Sequence, residues 1–269
     1  MGEISTDTPG GDGGPAGLGV SAHGLGLRGP RGWAFRGISF TAEPGTLIAL
    51  EGPSGAGRTS LLLTLTGRMR ATEGTACVGP ARLPKQLASV RRVSALAHVQ
   101  GVTDLDPALT VGEHLRERAL LQRRFGGSLR ALLRPRRERV AETGLRIDTA
   151  LSAAGLDREA LPKGSRTAVR DLERLEALRL SIALALIGRP RLLGVDDADL
   201  KLPDAGRAEV WALLRSVAAA GTTVLAVCSE APEDALVVRG PDTAGRAGEP
   251  HTTDDLKETG DAFAEARGA

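Results

Sequence analysis

The segment EGPSGAGRTS, residues 51 to 60, gathers residue types suited to holding a phosphate. Gly52, Gly57 and Thr59 fall at the spacing of the phosphate-loop pattern G-x-x-x-x-G-K-[ST], with Arg58 in the lysine position. Pro53, Ser54, Gly55 and Ala56 fill the loop, and Ser60 stands behind Thr59. The apolar run GTLIALEG (45–52) leads into the loop as a buried strand, and TSLLLTLTGR leaves it as a helix. A strand, a glycine-rich loop and a helix start aim several backbone N–H groups at one point, where the helix dipole also favours an anion. These donors belong to the backbone, so they outlast the loss of the lysine. Thr59 offers a hydroxyl for Mg2+. Arg58 keeps the charge, but a planar, forked guanidinium does not take a lysine's place against the β- and γ-phosphates. The plainer alternative is a glycine-rich turn before a helix.

A second apolar run, RLLGVDD (191–197), ends in Asp196 and Asp197. The carboxyl edge of an α/β sheet is where such folds bind ligands. Asp196 there would hold Mg2+ through water, and Asp197 would polarise an attacking water. Two acids at a solvated strand end are the alternative.

The elements that must position these groups follow the same punctuation. RVSALAHVQ (92–100) and TTVLAVCSE read as buried strands, and DAGRAEVWALLRSVAAAG as a helix stopped by Gly221. From about 110 to 186 the apolar spacing is helical. Strands alternating with helices predict an α/β fold with a largely parallel sheet covered on both faces. No internal repeat of the whole unit is present. Residues 1–17 and 241–269 lack apolar periodicity and read as polar tails around one domain, 18–240.

Composition narrows the classes. A formal net charge of +2 over 269 residues makes no electrostatic case for a nucleic-acid partner. Only four of the 35 basic residues are lysine, a bias that weakens any purposeful reading of Arg58. Cys77 and Cys228 lie in separate apolar stretches and read as buried free thiols. No apolar run reaches the ~18–20 residues of a membrane span, so a cytosolic chain is expected. The stretch 115–140 holds nine arginines against two glutamates, which suits either a solvated helix face or a surface beside anionic lipid.

From about residue 18 to 240 the chain resembles the nucleotide-binding domain of ATP-binding cassette (ABC) transporters. VQGVTDLDPALTVGEHL (99–115) is similar to the family's Q-loop, with Gln100 as its glutamine. ALRLSIALALIGRPRLLGVDD is similar to the helix leading into the second phosphate-site strand, and AAGTTVLAVCSE to the last core strand. The resemblance implies a P-loop NTPase fold with a mostly parallel core sheet, an antiparallel β subdomain and an inserted helical subdomain at about 101–180. It implies Mg-ATP as ligand, with Gln100 beside Thr59 and Asp196 on the metal side and Gln100 and Asp197 serving catalysis. It further implies a homo- or heterodimer of cassettes and an integral membrane partner holding the chain at the cytoplasmic membrane.

Departures from the family pattern are as specific as the matches. LERLE (172–176) stands for the signature L-S-G-G-Q, so Glu173 and Glu176 bring negative charge toward a phosphate; as ordinary helix the segment is satisfactory. Ser229 stands where the family has its switch histidine, and ADLKLPD keeps little of the D-loop. Asp197 replaces a glutamate; a base displaced by roughly 1 Å can cost about 100-fold in rate. With no tyrosine in the chain, Trp33 is the nearest residue to stack on adenine, and Trp33 or Phe35 in the core is the alternative. Because the family's sites are composite between subunits, every site would contain at least one altered half. The expectation is nucleotide binding that outlives efficient hydrolysis: a weak ATPase, or a non-hydrolysing regulatory or structural subunit.

Overall fold

Short apolar segments closed by glycine or aspartate make strands because nothing in them satisfies a helix of useful length, and their β-branched and leucine side chains fit a pleated surface. In the computed structural model, which describes residues 17–126 and 136–240, the chain forms nine strands within those limits. These are β1 (Val20–Gly29), β2 (Gly32–Ala42), β3 (Leu47–Glu51), β4 (Glu73–Val78), β5 (Ala81–Leu83), β6 (Ser94–Ala97), β7 (Leu192–Val195), β8 (Thr223–Cys228) and β9 (Leu236–Arg239).

Five of them build one sheet in the order β6-β7-β8-β3-β9, with every neighbouring pair parallel. The register sets Glu51 opposite Cys228 and Ala97 opposite Val195, so the segments that follow emerge along one carboxyl edge. That edge collects the loop after β3, His98, Asp196 and Ser229. The other four strands form an antiparallel sheet, β2-β1-β4-β5.

The parallel strands look continuously apolar in sequence, yet they feed two separate cores. Ile48, Leu50, Leu192, Leu225 and Val227 face the helix α1 (Arg58–Leu65) and the antiparallel sheet. Leu47, Ala49, Leu193, Val195, Val224 and Ala226 face the opposite side. There they meet Leu178 and Ile182 of one helix and Val210 and Leu214 of another. Burial on both faces is why the period of two is invisible in the sequence.

The helical stretch expected over 110–186 resolves into α3 (Val111–Gly126), α4 (Arg136–Ala153) and α5 (Arg174–Leu186), after α2 (Leu87–Val93). Between α4 and α5 only two single 3-10 turns remain, Gly164–Arg166 and Val169–Asp171. The reason is local: the Asp157 carboxylate accepts from the Glu159 N–H at 2.8 Å, and Pro162 has no N–H to donate. A last helix, α6 (Asp204–Ala219), returns the chain to β8.

Both expected tails, apart from Gly17, and residues 127–135 of the arginine-rich stretch lie outside the described residues. Gly17 itself is packed, its carbonyl accepting from Arg191 Nη2 at 3.3 Å. Cys77 is half-buried and Cys228 buried, and both are free thiols. Burial, with Asp199 and Glu51 nearby, pushes the Cys228 thiol up to about 12, which keeps it unreactive. No helix among the described residues is long and apolar enough to cross a membrane.

One close approach seats α1 on the sheet. A Cβ on Gly194 of β7 would lie 2.8 Å from Leu96 Cδ2 and 3.0 Å from Leu62 Cδ1. Gly194→Val should therefore destabilise the fold by about 1–3 kcal/mol, read as a lower urea midpoint with an unchanged m-value.

Candidate functional site

The loop between β3 and α1 is seated by its last glycine. Gly57 has φ 76 and is the N-cap of α1. A Cβ there would fall 1.9 Å from the Ala34 carbonyl oxygen of β2. Both the left-handed backbone and the contact with β2 demand glycine. The loop closes through Ala56 N–H to Pro53 O at 3.2 Å. Among the described residues nothing accepts from the N–H groups of Gly55, Gly57, Arg58, Thr59 or Ser60. Unpaired donors at a helix start form a site for an oxyanion. Gly52, Pro53, Ala56, Gly57 and Arg58 line a cavity of about 550 Å³ that Ser229 also faces; Ser54 and Gly55 are exposed at the loop tip.

Thr59 and Asp196 meet although 137 residues separate them. Thr59 Oγ1 donates to the carboxylate at 2.9 Å and 3.1 Å from its two oxygens. Asp196 is buried, and that burial raises its pKa, with the Asp197 charge adding and the Thr59 hydrogen bond opposing. A hydroxyl and a carboxylate at one point are hard oxygen donors that fit Mg2+. Among the described residues no group of three His, Cys, Asp or Glu could enclose a metal, so phosphate oxygens and water would complete the shell.

Asp197 stands beside this pair with φ 48, its N–H donating to Asp196 Oδ1 at 3.2 Å. A non-glycine residue held left-handed stores strain, and such strain clusters at functional sites. His98, at the end of the neighbouring strand β6, has φ 56. Its N–H donates to Ser181 Oγ at 2.7 Å. Burial lowers the His98 pKa, Arg174 lowers it further, and Asp197 and Asp104 pull the other way. The apolar run RVSALAHVQ carries no signal for where β6 stops, so the sequence does not single out His98. The strand ends at Ala97, so His98 holds the edge position and Gln100 is exposed in the turn beyond. No hydrogen bond joins the Gln100 side chain to Thr59 or Asp196.

The remaining altered positions have equally definite surroundings. Arg58 Nη1 donates to the Cys228 carbonyl at 2.5 Å, so the guanidinium is turned to the end of β8. LERLE spans the entry into α5: Leu172 precedes the helix, Glu173 is its N-cap, and Glu176 Oε2 accepts from the Glu173 N–H at 2.8 Å as in a capping box. Arg174 Nε donates to Leu200 O at 2.6 Å. Trp33 carries Arg36 4.6 Å and Arg28 5.7 Å from its ring centroid, while Phe35 is 4% exposed and belongs to the core.

The raised pKa of Asp196 has a stability consequence. The folded chain binds this proton more tightly than the unfolded one, so stability falls as pH rises from the ordinary carboxylate value through the raised one. Asp196→Asn removes that cost; it should raise Tm at pH 7 by ~2–4 °C, and the gain should vanish in acid, as followed by thermal melts across pH.

Comparison with known proteins gives the arrangement its context. Residues 35–199 match the ABC transporter family. Over 189 residues the chain is 31% identical to the Nod factor export ATP-binding protein I of Cupriavidus metallidurans, covering 70% of this chain and 55% of that protein. Over 231 residues it is 31% identical to the daunorubicin resistance ATP-binding protein DrrA3 of Streptomyces coeruleorubidus, covering 84% of this chain and 66% of that one. The chain thus spans little more than half to two thirds of these relatives' lengths. In fold it is similar to the dimeric ATP-binding cassette MJ0796 bound to ADP and Pi, with TM-score 0.60 and 20% identity over 78% of this chain and 88% of that one. It is likewise similar to cbiO1 from Clostridium perfringens, with TM-score 0.62 and 18% identity over 78% of each chain. With its phosphate-type loop, its parallel sheet and its antiparallel and helical additions, the chain belongs to the ABC transporter family.

Proposed function

We propose that this chain is the ATP-binding subunit of an ABC transport assembly, binding Mg-ATP, hydrolysing it slowly and acting on an integral membrane partner. The observation that carries the reading is the set of unpaired N–H groups at the start of α1 beside the Thr59–Asp196 pair. In this reading the backbone N–H groups of residues 52–60 hold the phosphates, and Thr59 and Asp196 hold the metal side. Bound Mg2+ would neutralise phosphate charge. Asp197 is the base for water, and Gln100 would have to swing in from its exposed turn to reach the metal side.

Support for slow turnover comes from what the altered residues already do. Arg58 is engaged by a carbonyl, and Glu176 and Glu173 add negative charge where a helix start would otherwise attract an anion. Ground-state binding uses the backbone donors, whereas acceleration needs groups aimed at the transition state.

Support for a protein partner comes from a cleft of about 830 Å³ between α3, α5 and β6, lined by Arg68, Arg91, Arg118, Leu105, Leu121 and Leu184. Leu121 is 43% exposed. Burial, with Arg91 and Arg118 nearby, holds the Arg68 guanidinium down to about 10. With Asp104, Asp106 and Glu117 beside these arginines and exposed leucine, the mixed charged and apolar lining suits an amphipathic helix. Such docking would place the chain at the membrane, paired with a second cassette of the same or another kind.

A second reading, a non-hydrolysing nucleotide-binding regulatory or structural subunit, is favoured by the Arg58 and LERLE contacts. Two measurements separate the readings. Mg-ATP at 100 times Kd should stabilise the protein by about 2.7 kcal/mol, and Thr59→Ala should abolish the Mg2+-dependent part of the Tm rise; no rise at millimolar Mg-ATP would end both readings. Phosphate release above that of Asp197→Asn supports the slow ATPase, and release equal to it supports the regulatory subunit.

A further inference from the structure

The peptide unit joining Cys228 to Ser229 is gripped at both ends. Its carbonyl accepts from Arg58 Nη1 at 2.5 Å, and its N–H donates to Asp199 Oδ2 at 2.8 Å. The next N–H, that of Glu230, donates to the same oxygen at 3.1 Å. A cation on the carbonyl and an anion on the N–H polarise one amide in the same sense, and charge-assisted bonds are the stronger kind. Two successive N–H groups converging on one carboxylate oxygen form a filled backbone nest.

Asp199 is built into this place. It is 6% exposed, and a carboxylate that deep needs partners. Ala198 N–H donates to Val227 O at 2.9 Å, tying the turn after β7 to β8 and bringing Asp199 against the turn that follows β8. The following residue is held in turn, since Leu200 O accepts from Arg174 Nε. Arg58 reaches the carbonyl from the other side, across the cavity that Gly52 and Ser229 line.

We propose that Arg58 and Asp199 clamp the 228–229 peptide, and that Asp199 is the positioning residue that keeps Ser229 facing the nucleotide cavity. Arg58 is then a jaw of the clamp, not a stand-in for the phosphate-binding lysine. The clamp stands on the hydrogen bonds alone; only its effect on nucleotide rests on the reading that phosphate lies at the start of α1.

Amide hydrogen exchange on the nucleotide-free protein tests the clamp. In Asp199→Ala the Ser229 and Glu230 amides should exchange ~10-fold faster or more, the loss expected for a hydrogen bond to a charged acceptor. Asp199→Asn keeps an acceptor oxygen and should restore most of the protection. Arg58→Met should accelerate the same amides, and it carries the test alone if Asp199→Ala does not fold. Unchanged exchange at the turn, or acceleration spread equally over the β8 amides, overturns the clamp. Calorimetric titration with Mg-ATP tests its consequence: Asp199→Ala should bind at least ~5-fold more weakly and Asp199→Asn within ~2-fold of wild type. Equal affinity in all three overturns the positioning role. Wild-type protein that binds no Mg-ATP defeats the functional reading instead, and the exchange result still decides the clamp.

Discussion

The site depends on α1 lying flat against the parallel sheet. Leu61, Leu62 and Leu65 bury themselves on Ile48, Leu50, Leu192 and Leu225, and the helix can come that close only because position 194 has no side chain. Burial of three leucines is worth several kcal/mol at about 1.5–3 each, far more than any single polar contact in the site. This apolar contact aims the N–H groups of the loop and carries Thr59 to Asp196. The chemistry is delivered by residues that have none.

Against that favourable packing stands a polar cost. Asp196 is an ionisable group in a buried place, relieved by one hydroxyl and one N–H. Asp197 and His98 hold left-handed backbone on neighbouring strand ends. Strain and buried charge gathered on one edge, while the opposite faces of the sheet are filled with leucine, valine and alanine, is the division of labour expected when a fold's stability is made elsewhere than its function.

Much of this architecture was legible. The apolar runs at 45–52, 92–100, 191–197 and 222–230 announced β3, β6, β7 and β8, and the glycine loop announced the start of α1, because each signal is local. The antiparallel sheet was implied only through the resemblance. Its strands carry internal glycines such as Gly24 and Gly26 and register shifts between Ala22 and Leu27, which erase the alternation a half-buried strand would show. Strand ends were the weak point: β6 stops at Ala97, short of the end of its apolar run, which puts His98 at the edge, whereas Gln100 was named only through the resemblance. Partners distant in sequence were illegible altogether. That Arg58 faces Cys228 across 170 residues, or that Asp199 faces Ser229, follows from the parallel register and from rotamers, neither of which a residue pattern encodes.

The start of α5 has one more consequence. Glu176 and Glu173 close that helix on itself, so its positive pole is quenched by carboxylates of its own chain. A surface of this kind can receive a neighbour but has little to lend to an anion that the neighbour carries. The first turn of α5 is thereby a poor place for an anion, because the carboxylates that cap it already occupy its N–H groups.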